Sequence, residues 1–481
     1  MKRPKFFVAA IAALMTSAVA EAVQPNIVYV MTDDQDVELG GMTPMSLTRK
    51  LIGEAGAVGE HFYINTPICC PSRTETLSGR MYHNVLNDDL YHDCMHVNST
   101  SYVFQHSASL FPALQSAGYM TGGFGKIING QHKVFAPKND TSKGITNGWD
   151  WLSVPYPVGD YFEPNHFEKR PNGSTWISSL GDPSQVVDEW YQTSQIGNRS
   201  LEFIEASLAA GKPFVAYLGT EAPHYNADSP PWARELYNDL KAPRTPAFNT
   251  SIGQADKTKH IAQNPPLNKE AEHWIDAHFR DRWRAIKGVD IMISLIIDRL
   301  QQLGVLENTF IFFTSDHGYK LGEWRLGCSK QHPFESDIHI PFLARGPGIA
   351  PGTRINSLGS NIDIAPTFID IAGLPPNPEH DGKSLLPLLH TVQGTPERQA
   401  VEEGWRTSLL IEYISVGTYY NDHAEIYVSG PGETPGTPLV YGRGPWSPNN
   451  ASQDACQHDE AMVPVGQGQC YFVDSQASNN W

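Results

Sequence analysis

Positive charge is scarce in this chain of 481 residues: 35 Lys and Arg stand against 52 Asp and Glu, a formal net charge of −17. Such a balance offers no general means of neutralising a phosphate backbone, which excludes a nucleic-acid binder. An anionic substrate would need a local cluster of cations or a bound metal. Long apolar runs are also scarce. The run at 6–20 is shorter than the ~20 residues a membrane-spanning helix needs, and no later stretch is long enough to cross a bilayer. No solenoid-type repeat is visible. Apolar content, by contrast, is ample: 40% hydrophobic and 10% aromatic residues exclude wholesale disorder. The length fits two or three average domains, or one large α/β domain with an appendage.

The apolar run follows Lys2, Arg3 and Lys5 and ends at Ala18-Val19-Ala20 and Ala20-Glu21-Ala22, two A-x-A cleavage sites. Residues 1–22 therefore read as a secretory signal peptide. Removing its three cations and Glu21 shifts the net charge from −17 to −19. Sequons at Asn98, Asn139, Asn172, Asn198, Asn249 and Asn450 point to a glycosylated protein of the secretory pathway. The six cysteines are Cys69, Cys70, Cys94, Cys328, Cys456 and Cys470, which an oxidising compartment would make into three disulfides, Cys456–Cys470 first among them. Adjacent Cys69 and Cys70 fit that scheme poorly. If one serves chemistry, at least one other is left without a partner in the chain.

Helical patterns alternate with short, wholly apolar runs. A strand at 25–32 opens into Asp33-Asp34-Gln35-Asp36; helix 110–118 precedes strand 119–124; helix 185–210 precedes strand 214–219; helix 269–303 precedes strand 309–314. This alternation predicts an α/β fold, with a large mainly parallel sheet and helices on both faces. Ligands in such sheets bind beyond the carboxyl ends of the strands, where the loops at Asp33, Pro223 and Asp316 would meet. Residues 130–183 are aromatic, rich in Gly and Pro and weakly periodic, which predicts long surface loops roofing the site. After helical segments at 363–372 and 385–390 the composition shifts toward Gly, Pro and Asn. This sets a boundary near 396 and a smaller C-terminal subdomain over 396–481.

The stretch Cys69-Cys70-Pro71-Ser72-Arg73-Thr74-Glu75-Thr76-Leu77-Ser78-Gly79-Arg80 carries the strongest local signal. Ser72 and Glu75 read as an S-x-x-E capping box opening a helix. Cys69 then lies just ahead of a helix N-terminus that favours an anion, with Arg73 on the first turn. Local chemistry leaves two readings open: an anion-binding reactive cysteine, or a disulfide cysteine beside an ordinary capped helix.

C-x-P-S-R followed by L-x-G-R resembles the signature of the sulfatase family, matched here by Cys69, Pro71, Ser72, Arg73, Leu77, Gly79 and Arg80. The resemblance implies an alkaline-phosphatase-like fold and oxidation of Cys69 to formylglycine by the formylglycine-generating enzyme. It also implies one calcium ion, held by Asp33, Asp34, residue 69, Asp316 and His317. Many members carry Asn at the position of His317, and some carry His. Hard oxygen ligands suit calcium. By the same resemblance His224 in APHYN, Lys126 in GFGK and Lys330 in CSKQHPF join Cys69 and Arg73 as catalytic residues. GFGK itself is no phosphate loop, because the G-x-x-x-x-G-K-[ST] spacing fails. His92 and His96 read as surface residues.

Many sulfatases read G-K-x-H where this chain has Lys126-Ile127-Ile128-Asn129. Asn129 stands where the N-acetylglucosamine-6-sulfatase and arylsulfatase branch often has Asn, and CCPSR, FRDRW, VDIMISLIIDRL and DGKSLLPLL also resemble that branch. The resemblance covers about residues 24–395, giving a catalytic domain at 23–395. Relatives continue through a D-P-x-x-x-x-N stretch, so the C-terminal subdomain is expected to be incomplete. The expected activity is hydrolysis of an aryl sulfate or a sulfated sugar by a secreted or lysosomal enzyme. His224 or Lys330 would assist the departing alcohol. Two alternatives share these motifs: a phosphodiesterase or phosphonate monoester hydrolase of the same superfamily, and an inactive, secreted glycan-binding homologue.

Overall fold

Strand β1 (Asn26–Thr32) has no face toward water: all seven of its residues are buried. Its odd residues Ile27, Tyr29 and Met31 pack with Leu77, Leu110, Leu114 and Phe368, while Val28 and Val30 pack with Ile196, Phe203, Ile286 and Ile293. Two-sided burial is why the strand reads as a continuous apolar run rather than an alternating one. The computed structural model describes residues 24–412 except 86–109, 145, 157–160, 163–164, 180–186, 225–226, 257–263 and 265, together with short strands at 440–441, 462–464 and 470–472. The signal peptide, His92, His96, Cys94 and the sequons Asn98 and Asn450 lie outside the described residues.

The other strands are β2 (Ala57–Gly59), β3 (Phe62–Tyr63), β4 (Met120–Gly125), β5 (Trp151–Pro155), β6 (Asn165–Lys169), β7 (Thr175–Ser179) and β8 (Phe214–Gly219). They continue with β9 (Thr309–Ser315), β10 (Lys320–Leu321), β11 (Cys328–Ser329), β12 (Phe342–Arg345), β13 (Thr353–Ile355) and β14 (Gly359–Ser360). Ten of them form one sheet in the order β13-β2-β12-β9-β1-β8-β4-β5-β6-β7. The central strands β9, β1, β8, β4 and β5 run parallel, whereas β12, β6 and β7 pair antiparallel toward the edges.

Helices α1 (Cys69–Ser78), α2 (Leu110–Ser116), α3 (Gln192–Ala209), α4 (Lys269–Gln302) and α5 (Ile364–Ile371) cover both faces. The long helix α4 is set by its ends. Asn268 caps it by accepting the Ala271 N–H at 2.8 Å, with Glu270 and Glu272 in the first turn and Arg299 in the last, each complementing the helix dipole.

The described residues of 130–183 are not a roof of loops. Strands β5, β6 and β7 extend the sheet from this region, with Trp149, Leu152, Val154 and Phe167 fully buried. Strands of five residues are too short to show a clear period in the sequence. Helix α6 (Pro396–Glu403) follows the expected boundary, and its Arg398 is buried, donating to the carbonyls of Leu388 and Arg354. Beyond it Arg406 Nη2 meets Asp363 Oδ1 at 2.5 Å, and Asn65 Nδ2 donates to Leu410 O at 2.6 Å.

Candidate active site

Because β1, β4, β8 and β9 are parallel, the segments that follow them meet at one edge of the sheet. Backbone hydrogen bonds continue past the strand ends and fix those segments to one another: Lys126 N–H to Gly219 O (2.7 Å), Thr220 N–H to Met31 O (2.9 Å), Asp316 N–H to Thr32 O (3.0 Å) and Asp33 N–H to Ala222 O (3.2 Å). Gly125, just before Lys126, has φ +81°, and a Cβ there would lie 2.0 Å from Gly219 O, so only glycine lets the two loops touch.

Helix α1 brings its first residue to this edge. Cys69 is fully buried, its Sγ 3.3 Å from His317 Nε2, 3.3 Å from Lys330 Nζ and 3.6 Å from Asp33 Oδ1. It is a free thiol, whereas the adjacent Cys70 is disulfide-bonded. Cys328 is also free and buried, so the expected three disulfides do not form.

The predicted capping box is absent. The N-cap is Ile68, with no side-chain cap. Ser72 Oγ instead donates to the Asp316 carbonyl, and the buried Glu75 carboxylate accepts from Thr66 Oγ1 (2.9 Å), Tyr82 N–H (3.1 Å) and Asn361 Nδ2 (3.1 Å). Partners distant in sequence captured both side chains, an acceptor for Ser72 and donors for Glu75. The helix therefore starts at Cys69 itself, and Arg73 falls in its second turn rather than its first.

Arg73 is fully buried and spends its guanidinium on the site: Nε on Asp316 Oδ2 (2.8 Å), Nη2 on Asp33 Oδ2 (3.1 Å), and Nη1 on Lys126 O (2.7 Å) and Tyr217 Oη (3.2 Å). Lys126 Nζ is 2.5 Å from Asp33 Oδ2 and 3.7 Å from Glu221 Oε1. Lys330 Nζ lies 2.9 Å from Asp34 Oδ1. Burial pushes the Asp33 carboxyl upward, but Lys126, His224, Arg73 and Lys330 outweigh it and hold the group well below the usual carboxylate range. Burial, then Asp33, push the Cys69 thiol well above its ordinary value against Lys126 and Lys330. An unmodified thiol there stays protonated and is a poor nucleophile. On His224 burial and Lys330 oppose protonation, yet Asp34 and Asp33 more than offset them and raise its pKa.

Asp33, Asp34, Cys69 and His317 offer ligand atoms within 4.8 Å of one another, all buried. Asp34 Oδ2 is enclosed without a hydrogen-bond partner, a costly state for a carboxylate oxygen unless a cation meets it. His317 Nδ1 is 2.9 Å from Gly318 O. A carbonyl can only accept, so Nδ1 carries a proton, which leaves Nε2, 3.3 Å from Asp34 Oδ1, as the ring atom placed to bind a metal. This donor set fits a divalent cation. Asp316 stands beside the four, its Oδ1 accepting the N–H groups of Asp34 (3.1 Å) and His317 (2.8 Å). Asn129 is half-buried, its Oδ1 shielded and without a partner.

Three contributors escaped the sequence reading. Tyr217 and Glu221 belong to an apolar strand and the turn after it, where nothing in the local pattern separates them from core and loop. Arg282 of α4 donates to the carbonyls of Pro223 (2.8 Å) and Asp34 (2.5 Å), a link between distant segments that only folding creates.

A model of the sulfatase family matches residues 25–374, which take in every site residue from Asp33 to Lys330. Human N-acetylglucosamine-6-sulfatase is 34% identical over 410 residues, covering 83% of this chain and 69% of that protein. The chain belongs to the sulfatase family. An extracellular sulfatase SULF-1 homolog of Drosophila melanogaster is 32% identical over 393 residues, 81% of this chain but 33% of that longer sulfatase. Among solved structures, one in complex with its substrate D-glucosamine-2-N,6-O-disulfate shares the fold, with a TM-score of 0.60 and 22% identity over 80% of this chain and 82% of that one. The phosphonate monoester hydrolase of Silicibacter pomeroyi shares it as well, at a TM-score of 0.58 and 18% identity over 77% and 78%. At such identities the likeness to this sulfatase is one of fold. Among the described residues no helix is long and apolar enough to cross a membrane.

Proposed function

We propose that this sulfatase hydrolyses sulfate monoesters of the N-acetylglucosamine-6-sulfate or aryl sulfate type, through Cys69 converted to formylglycine and a calcium ion held by Asp33, Asp34, Asp316 and His317. The observation that carries this reading is the position of Cys69 Sγ, 3.3 Å from both Lys330 Nζ and His317 Nε2, at the junction of a cation cluster and a metal-binding donor set. A hydrated formylglycine supplies two hydroxyls on one carbon, one able to attack sulfur and the other able to expel sulfate afterwards, which a serine or cysteine lacks. Calcium supplies fixed positive charge for the sulfate oxygens and for the attacking hydroxyl.

The chain's own residues do the rest. Lys330 places its ammonium on Sγ and Lys126 places its own on the neighbouring Asp33, while Arg73 holds the two strand-end carboxylates and adds a third cation. His224, with its raised pKa, and Lys330 are the two groups suited to assist the departing alcohol. The formylglycine-generating enzyme is the maturation partner this reading requires, and the secretory pathway, leading outside the cell or to the lysosome, is the compartment. Release of sulfate from 6-O-sulfated N-acetylglucosamine and nitrophenyl sulfate, beside turnover of phenyl phosphonate, tests the proposal. Preferred turnover of a sulfate ester is expected. Preference for the phosphonate favours a phosphonate hydrolase, and binding of the sulfated sugar without any turnover favours an inactive glycan binder.

A further inference from the structure

Lys320 and Asp337 form an ion pair with neither side chain exposed, Nζ 2.8 Å from Oδ2. A pair of charges in the interior contributes little net stability, because both must be desolvated. What this pair does contribute is geometry. Lys320 Nζ also donates to the carbonyl of Lys330 at 3.0 Å, and His332 Nδ1 meets the same carbonyl at 3.1 Å. Asp337 Oδ2 accepts the His332 N–H at 2.9 Å, and its Oδ1 accepts from Ser336 Oγ at 3.0 Å. The segments are tied again by Gly318 N–H to Asp337 O and Tyr319 N–H to Ser336 O, both 2.7 Å. Lys320 and His332 thus meet on one peptide carbonyl, with Asp337 holding both of them, and the carbonyl belongs to the residue whose ammonium reaches Asp34 and Cys69. The next residue, Gln331, has φ +77°, a conformation that non-glycine residues hold only where their surroundings enforce it.

We infer that Lys320 is a positioning residue for ester hydrolysis: paired with Asp337, it fixes the Lys330 peptide so that Lys330 Nζ stands against the charge that builds on the departing oxygen. The inference rests on the sulfate-ester reading and narrows it, giving leaving-group assistance to Lys330 rather than to His224. Displacing an ammonium matters most where the leaving group is a poor one. A sugar alkoxide needs that charge, and a nitrophenolate hardly does.

The test compares Lys320→Met, Lys320→Arg and the double variant K320M/D337N, each checked for folding by its thermal melt, on 6-O-sulfated N-acetylglucosamine and nitrophenyl sulfate. The double variant removes both buried charges and so avoids the unpaired carboxylate that Lys320→Met leaves behind. In the folded variants kcat on the sugar ester is expected to fall about 10²-fold, the scale of a displacement near 1 Å. KM should be unchanged and the aryl ester little affected, with Lys320→Arg recovering part of the loss. Wild-type kcat on the sugar ester in the folded double variant, or an equal loss on both esters, overturns the inference while leaving the sulfate-ester reading intact. A wild type that turns over neither ester overturns both.

Discussion

Arg73 Nε sits 2.8 Å from Asp316 Oδ2, with both side chains fully buried, and the same guanidinium reaches Asp33 Oδ2 at 3.1 Å. One cation therefore joins the carboxyl ends of the adjacent strands β1 and β9 to helix α1, which carries Cys69. Removing it would leave two buried carboxylates short of a partner. Arg73→Ala is expected to destabilise the protein by about 3–5 kcal/mol in urea unfolding. Arg73→Lys should recover only part of that, because an ammonium cannot span both carboxylates. A loss under ~1 kcal/mol for the alanine variant would mean that the cluster is not held by Arg73.

The donor set around Asp34 predicts a metal effect that needs no turnover to be seen. Dialysis against a chelator should lower the melting temperature, and calcium should restore it more fully than magnesium, which demands a near-ideal octahedron and gives up its waters reluctantly. At a calcium concentration one hundred times its Kd the stabilisation is about 2.7 kcal/mol. Asp34→Asn should shrink that response. A melting temperature indifferent to chelator and calcium alike would contradict the assignment.

Glu75 gives a pH dependence with a definite sign. Burial, opposed by hydrogen bonds from Asn361, Thr66 and Tyr82, pushes its pKa up to about 8. Between the ordinary carboxyl value and that pH the folded state holds a proton that the unfolded state has lost. Stability from this group therefore falls as pH rises through that window, by at most about 1.4 kcal/mol per pH unit, and levels off above it. Unfolding free energies measured from pH 4 to 9 should show a shallower decline in Glu75→Gln than in wild type. Parallel curves would remove Glu75 from the account.

Glycan mapping should separate the sequons. Asn172 and Asn198 are exposed and open to modification. Asn249 is half-buried, its Nδ2 donating to Leu267 O and Glu272 Oε1, both at 3.0 Å, so the folded chain uses the nitrogen a glycan would need. Peptides are expected to carry glycan at Asn172 and Asn198 and none at Asn249. A glycosylated Asn249 would show that those bonds do not form.

The core strands and the stations of the site were legible because each has a local cause. Two-sided burial makes β1, β8 and β9 read as unbroken apolar runs, and parallel strands deliver Asp33, Lys126, His224 and Asp316 to one edge. What stayed hidden depends on distant partners. Ser72 and Glu75 looked like a cap until Asp316 O and Asn361 claimed them. β5, β6 and β7 are too short to establish a period, and the Lys320–Asp337 pair gave no local sign of its link to Lys330. The disulfide count failed for a related reason. Cys328 is enclosed in apolar packing with Leu321 and Tyr319, where an even number of cysteines says nothing about pairing.

The central claim is that residue 69 works as formylglycine, and the mass of the peptide containing it tests this most directly. The protein should be made in a host that has the formylglycine-generating enzyme, and the same preparation assayed for sulfate release. The account predicts the aldehyde at position 69, with activity that rises with the converted fraction and vanishes in Cys69→Ala. An intact cysteine at position 69 in a preparation that hydrolyses sulfate esters at full rate would contradict it.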